Sequence, residues 1–513
     1  MGIRATDTQE NAPEAGERSG PRSGYFLAAC LAGYLALAAT YGLVLPLGHA
    51  PDEPAHFAYV LFVAQHARLP HYYADAVGYE SYQAPLYYTL SAAVCKLAMV
   101  AAERLGAGPP PKPPQHLLDA ADPAAPLPPE VRRHPWVPEG QHRLMFAAWR
   151  EALSLTPAQR AGWLAVRLFT ALLGALGIVL AWRIVAVLFP QRAWLATSVA
   201  AMMSFLPMYA HICAAVGNDA PTVVVVGLSL LLTVLVLRDG PQPRRVALLG
   251  LSLGLGMLTK DSANVTIPVA LLALAAAAGR RYEPPAADSL LLSLARRIAA
   301  LRWGLIAKRA ALMLGVMALV AGWWFVRNWR LYHELIHYPA NPQTQLPWDY
   351  YLMFPGHLGL ALGLSLPMTF RNFWGNFAWT NIALAPWVYW ALLAVSLAPL
   401  PGLALLVADG RAGRLGWSAF EHAGFRALML ALVLMALAVT GHALFIGIGG
   451  GSQGRYYFPM LSALGLLAGL GLGRLLPEPA RPKLPWAIAG ALLAFNLYCL
   501  LGVVVPFYRA LGV

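Results

Sequence analysis

The stretch His49–Val60 reads "HAPDEPAHFAYV" and follows directly on an apolar run that ends near Leu47. It sets two adjacent carboxylates, Asp52 and Glu53, where a membrane helix emerges into water, with an imidazole, His56, one helical turn later. Carboxylates so placed can accept a proton, bind a hydroxyl or hold a cation, and the imidazole can join a metal or a hydrogen bond. The plainer alternative is a helix start, where the dipole favours acidic side chains. Asp219, after Asn218 at the outer end of a later apolar run, is a third carboxylate, and capping the helix that follows would also explain it. Lys260, Arg327, Arg330, Arg371 and Arg455 all stand at outer ends of apolar runs. Arginine binds phosphate oxygens bidentately and stays charged; head-group anchoring is the alternative role. Arg455 lies between Gly454 and Tyr456 in "GGGSQGRYY", where glycine lets backbone N–H groups approach an anion.

Membrane helices must position these groups. The chain has 513 residues, is 58% hydrophobic and only 12% charged, which is the balance of a polytopic membrane protein. A ~30 Å hydrocarbon core needs about 20 apolar residues. On that measure helices are expected near 25–46, 162–188, 193–212, 220–237, 245–259, 263–279, 309–326, 384–408, 425–447, 456–473 and 485–506. The fold class is therefore all-α, with about 11 transmembrane helices. Residues 1–23 read as a disordered cytoplasmic tail and 24–513 as one transmembrane domain. Within it, 46–161 is a large outer loop, 280–308 a basic cytoplasmic loop and 327–383 a second outer loop.

Charge placement orients this map. With the N-terminus inside, short basic turns such as Arg238–Arg245, Arg280–Arg281 and Arg411–Arg414 all face the cytoplasm. Most of the net charge of +13 then lies on the inner surface. Anionic membrane lipids account for it, and nucleic acid is not required. The apolar segment 84–104 reads as a juxtamembrane helix, because a span there would turn those basic segments outward. Residues 284–306 read as an amphipathic helix in the inner interface, and 106–140 as a Pro-rich loop without a core of its own. The four cysteines lie in or beside apolar runs without paired spacing, as packing residues do. Histidines gather on the outer side, and no acid falls within a span. Chemistry is expected outside, close to the bilayer.

A resemblance then becomes specific. Asp52-Glu53-Pro54-Ala55-His56-Phe57 resembles the start of the first outer loop of the protein O-mannosyltransferases. Glu80–Tyr88, "ESYQAPLYY", is similar to the "E-K-P-P-L-x-Y" stretch of the lipid A aminoarabinose transferases, with Gln83 and Ala84 in place of that family's Lys and first Pro. "VRLFTALLGALGIVLAWRIVAVLFP", "GND", "MLTK", "WWFVRNW", "FWGNFAW" and "QGRYYFP" follow in the order of the broad family. The ordered set resembles the GT-C glycosyltransferase superfamily, close to an uncharacterised bacterial branch.

The resemblance implies an inner-membrane, multi-pass enzyme that takes a sugar from a polyprenyl-phosphate carrier. It would pass the sugar to a glycan, lipid or protein acceptor on the outer, periplasmic face. Such transfer needs a base for the acceptor hydroxyl and cations for the departing phosphate. Asp52 is the expected base, with burial raising its basicity. Glu53 is expected to orient it, bind a sugar hydroxyl or share a divalent cation with Asp52 and His56. Substrate contacts are expected from His56, Glu80, Gln83, Asp219, Lys260, Arg327, Arg371, Arg455 and Tyr456, with Arg327 and Arg455 foremost for phosphate. A transporter or flippase of lipid-linked sugar is the rival class, but it would bury ionisable residues at the bilayer midplane. A glycan polymerase or ligase acting on a lipid diphosphate is a second enzymatic alternative.

Overall fold

Long apolar runs become long helices here. The computed structural model describes residues 21–106, 108, 114–128, 139–279, 301–339, 348–446 and 452–512. Five helices carry most of the site: α1 (Pro21–Val44), α2 (Glu53–His66), α3 (Leu86–Leu105), α4 (Pro157–Leu188) and α5 (Asp219–Asp239). Among the described residues ten helices are long and apolar enough to cross a bilayer, or eleven if one bent pair counts as a span. The protein is an all-α, polytopic membrane protein. Its only described strands, Asn376–Phe377 and Ile382–Ala383, form one small antiparallel hairpin.

Two expected elements differ. The span expected at 245–259 is the 15-residue helix Pro243–Met257, too short to cross at that length. Conversely, α3 is long and apolar enough to cross. Its register nevertheless sets it apart from the bundle. Tyr87 Oη meets Thr170 Oγ1 at 2.8 Å, and Cys95 packs on Gly162, so α3 runs beside the first third of α4. α1 lies along the rest of α4, where Tyr34 Oη donates to the Ala171 carbonyl at 3.1 Å. α3 thus starts near the level where α1 ends and runs away from it. Most of 284–306 and of the tail 1–23 lies outside the described residues.

The bent pair is Ala193–Phe205 and Pro207–Cys213, with 63° between axes. Pro207 has no N–H to continue the ladder. The freed Phe205 carbonyl accepts from Asn496 Nδ2 at 3.1 Å, and Tyr41 Oη donates to Asn496 Oδ1 at 3.2 Å. A buried polar pair thereby satisfies a carbonyl left over where the helix bends. The break delivers residues 214–218 into the site as a loop. Around it Tyr34, Tyr41 and Tyr209 are fully buried, and Tyr209 Oη donates to the Gly174 carbonyl at 2.8 Å. Gly174 is required there, since a Cβ would strike the Tyr34 hydroxyl. All four cysteines are buried and free.

Candidate active site

Glu53 is the anchor of the site. Its carboxylate, fully buried, accepts from Arg167 Nε at 2.7 Å and Nη2 at 2.6 Å, Trp163 Nε1 at 2.9 Å, and the backbone N–H groups of Gly48 and Val216 at 3.1 Å each. Arg167 also donates to the carbonyls of Gly42 and Leu45 at 2.8 Å and Pro46 at 3.0 Å, so its charge sits on the C-terminal end of α1. One ion pair therefore ties α1, the 46–51 turn, α4 and the 214–218 loop together. Burial works to raise the Glu53 pKa, but the Arg167 charge and its hydrogen bonds outweigh it and hold the carboxyl below its ordinary value.

This anchoring presents Asp52, which sits at φ 61°, ψ 1°, a left-handed conformation uncommon outside glycine and asparagine. Asp52 Oδ2 accepts from Arg455 Nη2 at 2.5 Å and Oδ1 from Tyr79 Oη at 2.8 Å. Asp219 Oδ2 lies 3.4 Å from Arg455 Nη1, and Asp219 Oδ1 accepts from Lys260 Nζ at 2.6 Å. Two carboxylates and two cations thus form one chain, with the Tyr456 ring 5.6 Å from the Arg455 guanidinium and 5.2 Å from Lys260 Nζ. Asp219 is the first residue of α5, Asn218 precedes it without a side-chain cap, and the Asp219 carboxylate serves the cations.

The chain opens on a cavity of about 820 Å³, within the range of small-molecule sites. Asp52, His56, Glu80, Gln83, Lys260, Arg455 and Tyr456 line it, joined by Tyr79, Tyr82, Tyr338, His442 and Trp379. Trp379 rides on the turn of the 376–383 hairpin and donates to the Gly48 carbonyl at 2.8 Å. Gln83 donates to Glu80 Oε2 at 2.8 Å and accepts from Asn218 Nδ2 at 3.3 Å. His56 Nδ1 lies 2.8 Å from Tyr88 Oη and 4.0 Å from Glu80 Oε2. Burial and then the nearby Asp52 charge push the Glu80 carboxyl up to about 7. Burial lowers His56 to about 4 against the opposing pull of Asp52.

Several expectations need correction. Burial does work to raise the Asp52 pKa, but Arg455, His56 and the hydrogen bonds outweigh it, so its basicity is lowered, not raised. Glu53 turns into the core instead of serving substrate. Arg327 donates to the Pro70 carbonyl at 2.6 Å and lies over Trp324, and Arg371 lies 5.4 Å over Tyr389; neither lines the cavity. Gly454 spends its missing Cβ on packing, because a Cβ would strike the backbone of Phe373. Asp52, Glu53 and His56 do not converge as ligands, and among the described residues no group of three or more His, Cys, Asp or Glu could hold a metal. Asp52 is taken by Arg455 and Tyr79, Glu53 by Arg167, and His56 Nδ1 by Tyr88, so the donor set does not fit a divalent cation.

Arg167 and Tyr79 were not anticipated. The signal for Arg167 was available: it is a cation inside an otherwise apolar run, where a charge needs a buried partner.

Residues 142–303 match the family model described as dolichyl-phosphate-mannose-protein mannosyltransferase, a segment that holds Arg167, Asp219 and Lys260. The matched segment spans about a third of the chain. No curated protein matches the sequence. Among solved structures, the chain is similar to ArnT from Cupriavidus metallidurans bound to undecaprenyl phosphate, at 15% identity and TM-score 0.45 over 95% of this chain and 74% of that one. It is also similar to the oligosaccharyltransferase AglB from Archaeoglobus fulgidus in complex with an inhibitory peptide and a dolichol-phosphate, at 13% identity and TM-score 0.42 over 96% of this chain and 56% of that one. The same oligosaccharyltransferase with Zn and sulfate gives 12% identity and TM-score 0.38 over 93% and 52%.

Proposed function

We propose that this protein transfers a sugar from a polyprenyl-phosphate carrier to an acceptor hydroxyl at the outer face of a bacterial plasma membrane. The observation that carries the reading is the ion-pair chain Asp52–Arg455–Asp219–Lys260 on the wall of one cavity. Arg455 and Lys260 supply the cationic seat for a lipid phosphate, and the lipid tail sets its depth. Asp52 takes the acceptor proton as the acceptor oxygen bonds to the anomeric carbon. The bond from that carbon to the phosphate oxygen breaks, and the phosphate leaves with the electron pair. One displacement without a protein nucleophile inverts the anomeric configuration. Glu80, whose carboxyl is pushed up to about 7 by burial and Asp52, and Gln83 offer hydrogen bonds to sugar hydroxyls.

The outer location is supported by α5. It starts at Asp219 in the site and ends near Arg238, Arg244 and Arg245, about 30 Å away for its length, and such basic turns favour the cytoplasm. The test is incubation of the detergent-solubilised protein with synthetic polyprenyl-phosphate sugars of defined anomeric configuration. Transfer with inversion is expected. Transfer with retention overturns the single displacement, and turnover of nucleotide sugars in place of lipid-linked ones overturns the donor class.

A further inference from the structure

Arg455 and Lys260 are the cations that line the cavity among the described residues, and neither waits unpaired. Lys260 is held by Asp219 at 2.6 Å, and Arg455 bridges Asp52 at 2.5 Å and Asp219 at 3.4 Å. An entering phosphate therefore competes with a carboxylate for the guanidinium. The two carboxylates are not equally replaceable. Asp219 grips both cations and its side chain is 10% exposed, whereas Asp52 grips one and remains 28% exposed toward the cavity. Asp52 also keeps a second partner, Tyr79, when the arginine leaves. The arginine has capacity to spare, since its Nε is buried without a partner.

We propose that Arg455 exchanges Asp52 for the phosphate of the incoming carrier, so that donor binding itself frees the base. This rests on the phosphate-binding reading above. With the cavity empty, Asp52 is the counter-ion of Arg455 and a poor proton acceptor. When the phosphate takes the guanidinium, Asp52 loses its opposite charge while its partly buried setting remains, and burial favours the protonated form. Proton transfer from the acceptor is then enabled only beside a bound donor. After transfer the carrier phosphate is a monoester carrying one more negative charge, and it retains Arg455 until it departs and Asp52 recovers the arginine. The exchange opposes phosphate binding in the resting enzyme, because an existing ion pair has to be broken.

The consequence runs against the usual effect of removing a catalytic group. Asp52→Asn should bind the carrier more tightly while failing to use it. Asparagine accepts the left-handed backbone at position 52, so the variant is expected to fold. The experiment is equilibrium binding of a short-chain polyprenyl phosphate to full-length protein in detergent, for wild type, Asp52→Asn, Arg455→Gln and the double variant. Affinity should rise about tenfold in Asp52→Asn, and that gain should vanish in the Arg455→Gln background. Glu80→Gln, measured at pH 8, removes a neighbouring carboxylate that touches neither cation and should give no comparable gain. This second comparison stands even if Arg455→Gln fails to fold. Equal affinity of wild type and Asp52→Asn overturns the exchange, as does an equal gain in Glu80→Gln, which would mark a general field effect. Absence of binding to wild type and Asp52→Asn alike overturns both the exchange and the phosphate-binding reading.

Discussion

Asp52 and Arg455 stand 403 residues apart in sequence and share a 2.5 Å hydrogen bond. The pair joins the turn after the first helix to the start of the helical segment Gly454–Leu475, so the site exists only when both ends of the bundle are in place. It also sets the resting chemistry. A carboxylate so held is a weaker base than an exposed one, and a cation so held must be won by its ligand.

Glu53 is structural, and its loss should look different from the loss of Asp52. Glu53→Gln leaves Arg167, 4% exposed, with no carboxylate partner. Removing one member of a buried pair typically costs about 3–5 kcal/mol. The expected outcome is a large fall in melting temperature and in recoverable protein. A Glu53→Gln protein that melts like wild type but is inactive would return Glu53 to the chemistry.

The arginines separate by position. Arg455→Ala should lower kcat/KM for the donor by the loss of a charge-assisted contact, about 1.5–3 kcal/mol or roughly 10–150-fold. Arg371→Ala, at the Tyr389 ring and away from the cavity, should leave donor kinetics within about twofold. Steady-state kinetics against donor concentration distinguishes them. Similar losses in both would mean that phosphate is held elsewhere.

Gly454→Ala tests how Arg455 is placed. The new Cβ would collide with the backbone of Phe373, which forces the 310 segment beginning at Gly454 to move. Activity should fall although no charged group changes. Restored activity on paring the neighbouring side chain, Phe373→Ala, would contradict this account, because the clash is with backbone.

Glu80 gives a stability signature. Its carboxyl titrates near 7 in the folded protein against 4.5 ordinarily. Between those values the folded state binds more protons than the unfolded one, so the contribution of Glu80 to stability falls as pH rises. His56, lowered from 6.5 to about 4, works in the opposite sense over the lower part of that window. The difference in melting temperature between Glu80→Gln and wild type isolates Glu80. That difference should move in favour of the variant as pH rises from 4.5 to 7 and level off above it. A pH-independent difference would show that Glu80 is ionised throughout.

Much of the fold was legible because the thickness of a bilayer dictates apolar length directly. The Pro243–Met257 helix misled because short apolar runs at loops and at spans look alike. Within the site, Asp52, His56, Asp219, Lys260 and Arg455 were marked by polarity at helix ends, and Glu80 and Gln83 by the resemblance of the stretch that holds them. What could not be read was pairing. Glu53 and Asp52 are neighbours in sequence, yet one faces Arg167 and the other Arg455, because Asp52 alone is left-handed. Arg327 and Arg371 carry the same local signature as Arg455, and only the tertiary ion pairs with Asp52 and Asp219 show that Arg455 is the one on the cavity.

The decisive measurement is sugar transfer by Asp52→Asn from a synthetic polyprenyl-phosphate donor in detergent, beside its thermal melting curve. Asparagine keeps the size and the backbone conformation but cannot take the acceptor proton. Turnover should fall by about 10²–10⁴, with a melting temperature close to wild type. Near-normal turnover by a well-folded Asp52→Asn protein would contradict the assignment of Asp52 as the base.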